Sequence, residues 1–280
     1  MSGDKQNAVY GAPKRKRLTT ADIVAMKRDR RKIVMLTAYD ALFASLLDQA
    51  GVDLLLVGDS VGPVLAGEEN TIPVTLSQMI YHGRSVQRGT TRTLVVVDLP
   101  FLSYQVSVSD AIQNAGRVLK QTGAGAVKLE GGRHFAPTVR ALVEAGIPVM
   151  GHIGFTPQSM HVLGGIHVQG RETGAASRLI EDARAIEEAG AFAVVLEFLS
   201  ASVAKQVTAA VSIPTIGIGA GVDCDGQVLV LHDMLGLNEN FHAKFVKRYA
   251  ELGATVRAAA ESFGNDVRAG VFPDAAHTHK

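Results

Sequence analysis

The stretch "AVKLEGG" (126–132) has the apolar lead of a buried strand, yet it carries Lys128 and Glu130 two positions apart. In an extended chain residues i and i+2 point to the same face, so a cation and an anion sit side by side on one surface of the strand. Seven further runs share the apolar character: "IVMLTAYD" (33–40), "DLLLVGDS" (53–60), "TLVVVDLP" (93–100), "IPVMGHIG" (147–154), "AFAVVLEF" (191–198), "IPTIGIGAG" (213–221) and "GQVLVLHD" (226–233). They are continuously apolar rather than alternating, as parallel strands covered by helices require. Helical patterns lie between most of them and stop at Gly51, Gly123, Gly146 and Gly190, since glycine enters the left-handed conformation cheaply after a last turn.

Eight such units fit a closed (β/α)8 barrel better than an open doubly wound sheet, which has fewer strands and a Gly-rich first turn. The reading is one α/β barrel domain over 19–265, with a flexible arm over 1–18 and a tail over 266–280. A helix in "TTADIVAMKRD" (19–29), capped by Thr19 or Thr20, would close the bottom of the barrel, and "FHAKFVKRYAELGATVRAAAESF" (241–263) would supply closing helices. Two connections exceed what the fold needs, "VGPVLAGEENTIPVTL" (61–76) and "FTPQSMHVLGGIHVQGRETG" (155–174), and long loops of this kind serve as lids or binding loops.

Composition narrows the partners. The 280 residues are 47% hydrophobic and 20% charged, with 28 Lys and Arg against 27 Asp and Glu, a net charge of +1. No global field favours nucleic acid or an anionic membrane, so the partner is small. The basic cluster Lys14 to Arg17 belongs to the arm, as a solvated tail, a subunit contact or a local nucleic-acid contact. One cysteine, Cys224, excludes an internal disulfide; with no signal peptide and no long apolar run, the chain reads as soluble and cytoplasmic.

Polar residues gather near the C-terminal ends of the strand runs: Asp59, Asp98, Lys128, Glu130, His152, Glu197 and His232. In a barrel these ends form one rim, where such folds place their chemistry. Taken singly, each has a structural alternative. Asp59 and Asp98 are also turn formers or helix caps, Lys128 and Glu130 a structural ion pair, and His152 a hydrogen-bonded core histidine. Glu197 after "AVVL" is sharper, because a lone buried carboxylate is costly unless it is paired or used. Asp59, Asp98 and Glu130 together make an oxygen-rich set suited to Mg²⁺; zinc is disfavoured, since the histidines lack ligand spacing. Lys128 would balance the anionic charge and bind a substrate oxygen. "GIGAG" (217–221) is either a phosphate cradle or a tight turn.

The ordered set "VGDSVG", "TIPVTL", "DLPF", "VKLEGG", "GHIGFTPQS", "VQGR", "VVLEF" and "IPTIGIGAGVDCDGQVLVLHDMLG" resembles the ketopantoate hydroxymethyltransferase family from about residue 19 to 273. The resemblance implies a barrel of the phosphoenolpyruvate/pyruvate type, commonly a homodecamer. It implies Mg²⁺, one per subunit, on Asp59 and Asp98, with Glu130 at the metal site directly or through water. It implies a 2-oxo acid held by Asp59, Ser60, Asp98 and Lys128, Glu197 as proton acceptor, and 5,10-methylenetetrahydrofolate as one-carbon donor. A metal-dependent lyase or mutase of the same barrel superfamily is the rival reading; that branch carries a catalytic Cys over the site, in a context unlike that of Cys224.

Overall fold

The computed structural model describes residues 16–165, 169 and 174–279. Most of the arm expected over 1–18 therefore lies outside the described residues, as do 166–168 and 170–173 in the second long connection. The strands are β1 (Ile33–Thr37), β2 (Leu54–Val57), β3 (Leu94–Asp98), β4 (Ala126–Lys128), β5 (Val149–Gly154), β6 (Ala193–Glu197), β7 (Thr215–Ile218) and β8 (Gly226–Leu229). They close in chain order into the expected eight-stranded barrel, and the paired strands are parallel. The helices are α1 (Thr20–Arg28), α2 (Ala41–Gln49), α3 (Leu76–Gly89), α4 (Val108–Thr122), α5 (Ala136–Glu144), α6 (Met160–Leu163), α7 (Ala175–Glu188), α8 (Ala201–Ala210), α9 (Leu231–Met234) and α10 (Leu252–Arg268). None of the described helices is long and apolar enough to cross a membrane.

Side-chain parity sorts the barrel interior into an apolar floor and a polar top. Ile33 and Met35, Leu54 and Leu56, Leu94 and Val96, Ala126, Met150, Ala193 and Val195, Ile216 and Val228 form one buried cluster, every second residue of their strands. α1 completes the floor. Thr19 caps it in a reciprocal box with Asp22, worth about 1 kcal/mol, and its buried Ile23 and Met26, one turn apart, join the same cluster. Continued toward the C-terminal ends, the same parity reaches Asp98 on β3, Lys128 and Glu130 on β4, His152 on β5 and Glu197 on β6. Glu130 lies past the formal end of β4, but Leu129 N to Met150 O (3.2 Å) and Gly131 N to His152 O (2.8 Å) carry the ladder through it.

Two features depart from regular alternation. No helix separates β7 from β8; residues 219–225 return the chain directly, fewer than the dozen a parallel crossover usually takes, yet seven extended residues reach across so short a strand. The glycines of "GIGAG" serve this turn, with Gly219 and Gly221 at φ of 61° and 86°. Contacts divide the chain into two compact units between Val228 and Leu229, within β8. In the second unit the stretch 241–263 is helical only from Leu252. Arg248 donates to the carbonyls of Asn238, Glu239 and Phe241, fixing the preceding residues as a loop. α10 runs to Arg268, and the tail beyond it holds a short turn capped by Asp274.

Candidate active site

Asp59, Asp98, Lys128, Glu130 and His152 are each only 2–4% exposed, so three carboxylates and two bases share a space closed to bulk water. Register puts Asp98 level with Lys128 across β3 and β4. Lys128 Nζ lies 2.6 Å from Asp98 Oδ1, a buried ion pair. Asp98 Oδ2 accepts from the backbone N–H of Asp59 at 3.2 Å. That approach needs a glycine before it: a Cβ at residue 58 would lie 2.8 Å from Ser60 Oγ and 3.5 Å from Asp98 Oδ2.

Burial sets the electrostatics. Desolvation, then the Asp98 and Glu130 charges, hold the Asp59 carboxyl well above its ordinary range. Burial also raises Asp98, though the adjacent Lys128 opposes the rise. Burial alone would lower Lys128, but the Asp98, Glu130 and Asp59 charges outweigh it and raise the ammonium further. His152 lies between two acids, with Nδ1 3.4 Å from Glu130 Oε1 and Nε2 3.1 Å from Glu197 Oε2. Burial and Lys128, whose Nζ is 3.4 Å away, push the imidazole down; the two carboxylates prevail and raise it to about 9. Glu197 is the most open acid of the group, its side chain 16% exposed. Phe198 after it sits at φ 53°, a costly conformation for a bulky residue, found where a neighbouring group must be aimed.

The sequence-derived set is largely assembled. Ser60 stands at its edge, its Oγ 2.8 Å from the hydroxyl of buried Tyr39. His232 is not on a strand: it lies in α9, in the second unit. Cys224 is buried and its carbonyl accepts from Lys32, just before β1, so it marks the N-terminal end of the barrel, opposite the rim. Two residues of the site were not singled out from sequence. Gln158, 5% exposed, ties the carboxylates of Asp59 and Glu130 together, and Tyr104, 2% exposed, meets the Glu130 backbone and the Gln158 amide; both lie between the main elements, where no periodicity marks them. Gln158 has one sequence signal, its place in "GHIGFTPQS" (151–159); Tyr104 lies outside the ordered motifs.

The donor set fits a hard divalent ion. Asp59 and Asp98 offer oxygen ligands, and their mutual repulsion and that of Glu130 would be relieved by such an ion. Among the described residues no three His, Cys, Asp or Glu side chains form a ready cage. Two carboxylates with water or substrate oxygens completing the shell is the arrangement Mg²⁺ usually takes. Glu130, whose oxygens already face Gln158 N and His152, suits a place behind such a shell.

The sequence profile of the ketopantoate hydroxymethyltransferase family matches residues 17–275. The chain belongs to this family. A 3-methyl-2-oxobutanoate hydroxymethyltransferase of Syntrophotalea carbinolica is 56% identical over 94% of this chain and 98% of its own length. One of Moorella thermoacetica is 54% identical over 95% and 99%. Membership makes the chain a hydroxymethyltransferase. Among solved structures, 2,3-dimethylmalate lyase, of the PEP mutase/isocitrate lyase superfamily, covers 93% of this chain and 92% of its own at TM-score 0.59 and 18% identity. Phosphonopyruvate hydrolase in complex with oxalate and Mg²⁺ covers 93% of each chain at TM-score 0.62 and 14% identity. These two share the barrel fold with the family.

Proposed function

We propose that this enzyme transfers a hydroxymethyl group from 5,10-methylenetetrahydrofolate to 3-methyl-2-oxobutanoate, forming ketopantoate (2-dehydropantoate) for pantothenate synthesis. The observation that carries this reading is the meeting of a buried Asp59–Asp98–Lys128 cluster with a more open carboxylate, Glu197, through His152. The first suits an anionic, chelating 2-oxo acid; the second suits proton removal next to it. Mg²⁺, one per subunit on Asp59 and Asp98, would supply Lewis-acid polarisation of the keto acid, worth several kcal/mol.

The chain's own residues supply the rest. Lys128, held charged by its acidic neighbours, balances the negative charge that develops on the keto oxygen. Ser60, oriented by Tyr39, binds a substrate oxygen at the edge of the cluster. Glu197 takes the proton from C3, and the C–H pair becomes the enolate. The new carbon–carbon bond forms between C3 and the folate methylene carbon; its bonds to N10 and N5 break, water supplies the hydroxyl, and the two nitrogens leave as tetrahydrofolate with the protons taken from C3 and from water. His152, beside Glu197, fixes the orientation of that carboxylate. A homo-oligomeric assembly, a homodecamer in the family that the sequence resembles, and a cytoplasmic location belong to the same proposal.

Proton removal needs no folate, which gives a direct test. Wild-type protein in D₂O with Mg²⁺ and 3-methyl-2-oxobutanoate should replace the C3 hydrogen by deuterium, seen by proton NMR as collapse of the methyl doublet. Cleavage of the acid to a smaller fragment would favour a lyase instead. No exchange at all would remove the enolate step.

A further inference from the structure

Gln158 makes five hydrogen bonds in and around the acidic cluster, two of them to the carboxylates of Asp59 and Glu130, yet it has no role in that chemistry. It lies in the short 3₁₀ turn Pro157–Ser159 after β5. Its Nε2 donates to Asp59 Oδ2 at 2.8 Å and to the carbonyl of Leu99 at 3.0 Å. Its Oε1 accepts from the Tyr104 hydroxyl at 2.9 Å and from Gln105 Nε2 at 3.0 Å. Its backbone N–H donates to Glu130 Oε2 at 3.0 Å. A carboxamide has two N–H donors and two acceptor lone pairs; here both donors are used, and the oxygen faces Gln105 Nε2 and a Tyr104 hydroxyl whose one proton it shares with the Glu130 carbonyl. The orientation is therefore fixed: flipping the amide would point its oxygen at a carboxylate and a carbonyl. Tyr104 secures the other end, accepting from Glu130 N at 3.1 Å.

One residue thus clamps the carboxylates of Asp59 and Glu130, which follow β2 and β4, from a loop after β5. We propose that Gln158 is a positioning residue for divalent-ion binding. By holding one oxygen of Asp59 and one of Glu130, it sets their spacing and angle before the ion arrives. It does not touch the ion; it acts through the two acids, as outer-shell partners of metal ligands do. The inference rests on the reading that Asp59 and Asp98 hold the ion.

The alternative is that Gln158 only satisfies buried groups, and the two roles separate in measurement. Full-length protein stripped of metal is titrated with Mn²⁺ alone, and free Mn²⁺ is read by electron paramagnetic resonance. Gln158→Met keeps the length and removes both side-chain donors, releasing Asp59 while the backbone N–H to Glu130 remains; Gln158→Asn keeps the amide but falls one methylene short of Asp59. Each variant should bind Mn²⁺ roughly 10- to 100-fold more weakly than wild type, the usual effect of losing such a partner. Turnover should need correspondingly more Mg²⁺ while kcat at saturating Mg²⁺ recovers most of its wild-type value. Folding is followed by near-ultraviolet circular dichroism, and if the methionine variant does not fold, the asparagine variant decides. A folded variant with Mn²⁺ affinity within about twofold of wild type overturns the inference and leaves the metal reading standing. Wild-type protein that binds no Mn²⁺ at millimolar concentration overturns both.

Discussion

Glu197 and His152 make the residue-scale chemistry testable. Glu197→Gln keeps the shape and loses the base, so C3 exchange should fall by roughly 10²- to 10⁴-fold while the 2-oxo acid still binds. Exchange at the wild-type rate would remove Glu197 from the mechanism. His152 makes a prediction about pH. Its folded pKa of about 9 exceeds the ordinary 6.5, so the stability it contributes is fully present below pH 6.5 and lost as pH rises through about 9. Asp59 and Asp98, also raised, act with the same sign from the ordinary carboxylate range upward. Metal-free protein should therefore have a lower urea midpoint at pH 9 than at pH 6.5, and His152→Gln should flatten that slope; equal slopes would refute the assignment. Lys128, Glu130, His152 and Glu197 were legible in the sequence because strand parity places charges where an apolar run ends. Gln158 and Tyr104 were not, because a loop residue reaches a site through a path that no period encodes.

Individual elements followed their local signals where hydrogen bonding and capping are local. The left-handed stop at Gly123 and the Thr19 cap both sit where the residues placed them. The direct β7–β8 return and the non-helical stretch before Leu252 were hidden, since each depends on partners distant in sequence. For the stretch before Leu252 these are the carbonyls that Arg248 gathers. Close approach between elements gives a prediction of unusual sign. Gly89 ends α3 against the start of α2, and a Cβ there would clash with the Ala41 carbonyl oxygen and lie 2.9 Å from Ala44 Cβ. Alanine normally stabilises a helix over glycine, yet Gly89→Ala should destabilise by about 1–3 kcal/mol, as overpacking does. Urea unfolding that showed equal or greater stability would mean the two helices can part without cost.

For the whole molecule, assembly is the first quantity to measure. Leu42, 72% exposed, and Leu46 on α2, with Tyr81, 71% exposed, on α3, are large apolar side chains turned outward. Light scattering at micromolar concentration should report a mass several times that of the 29.6 kDa chain, and a monomer would count against the oligomer proposed above. The direct β7–β8 return has a different consequence. The acids and bases of the site come from β2 to β6 or the residues just after them, while β7 and β8 share two registered pairs, Ile216 with Gly226 and Gly217 with Gln227, and no helix covers the turn that joins them. Transient opening of that seam leaves the chemistry of the opposite staves intact. Backbone amides of β7 and β8 should then trade hydrogen for deuterium well before those of β3, under conditions where every molecule still turns over.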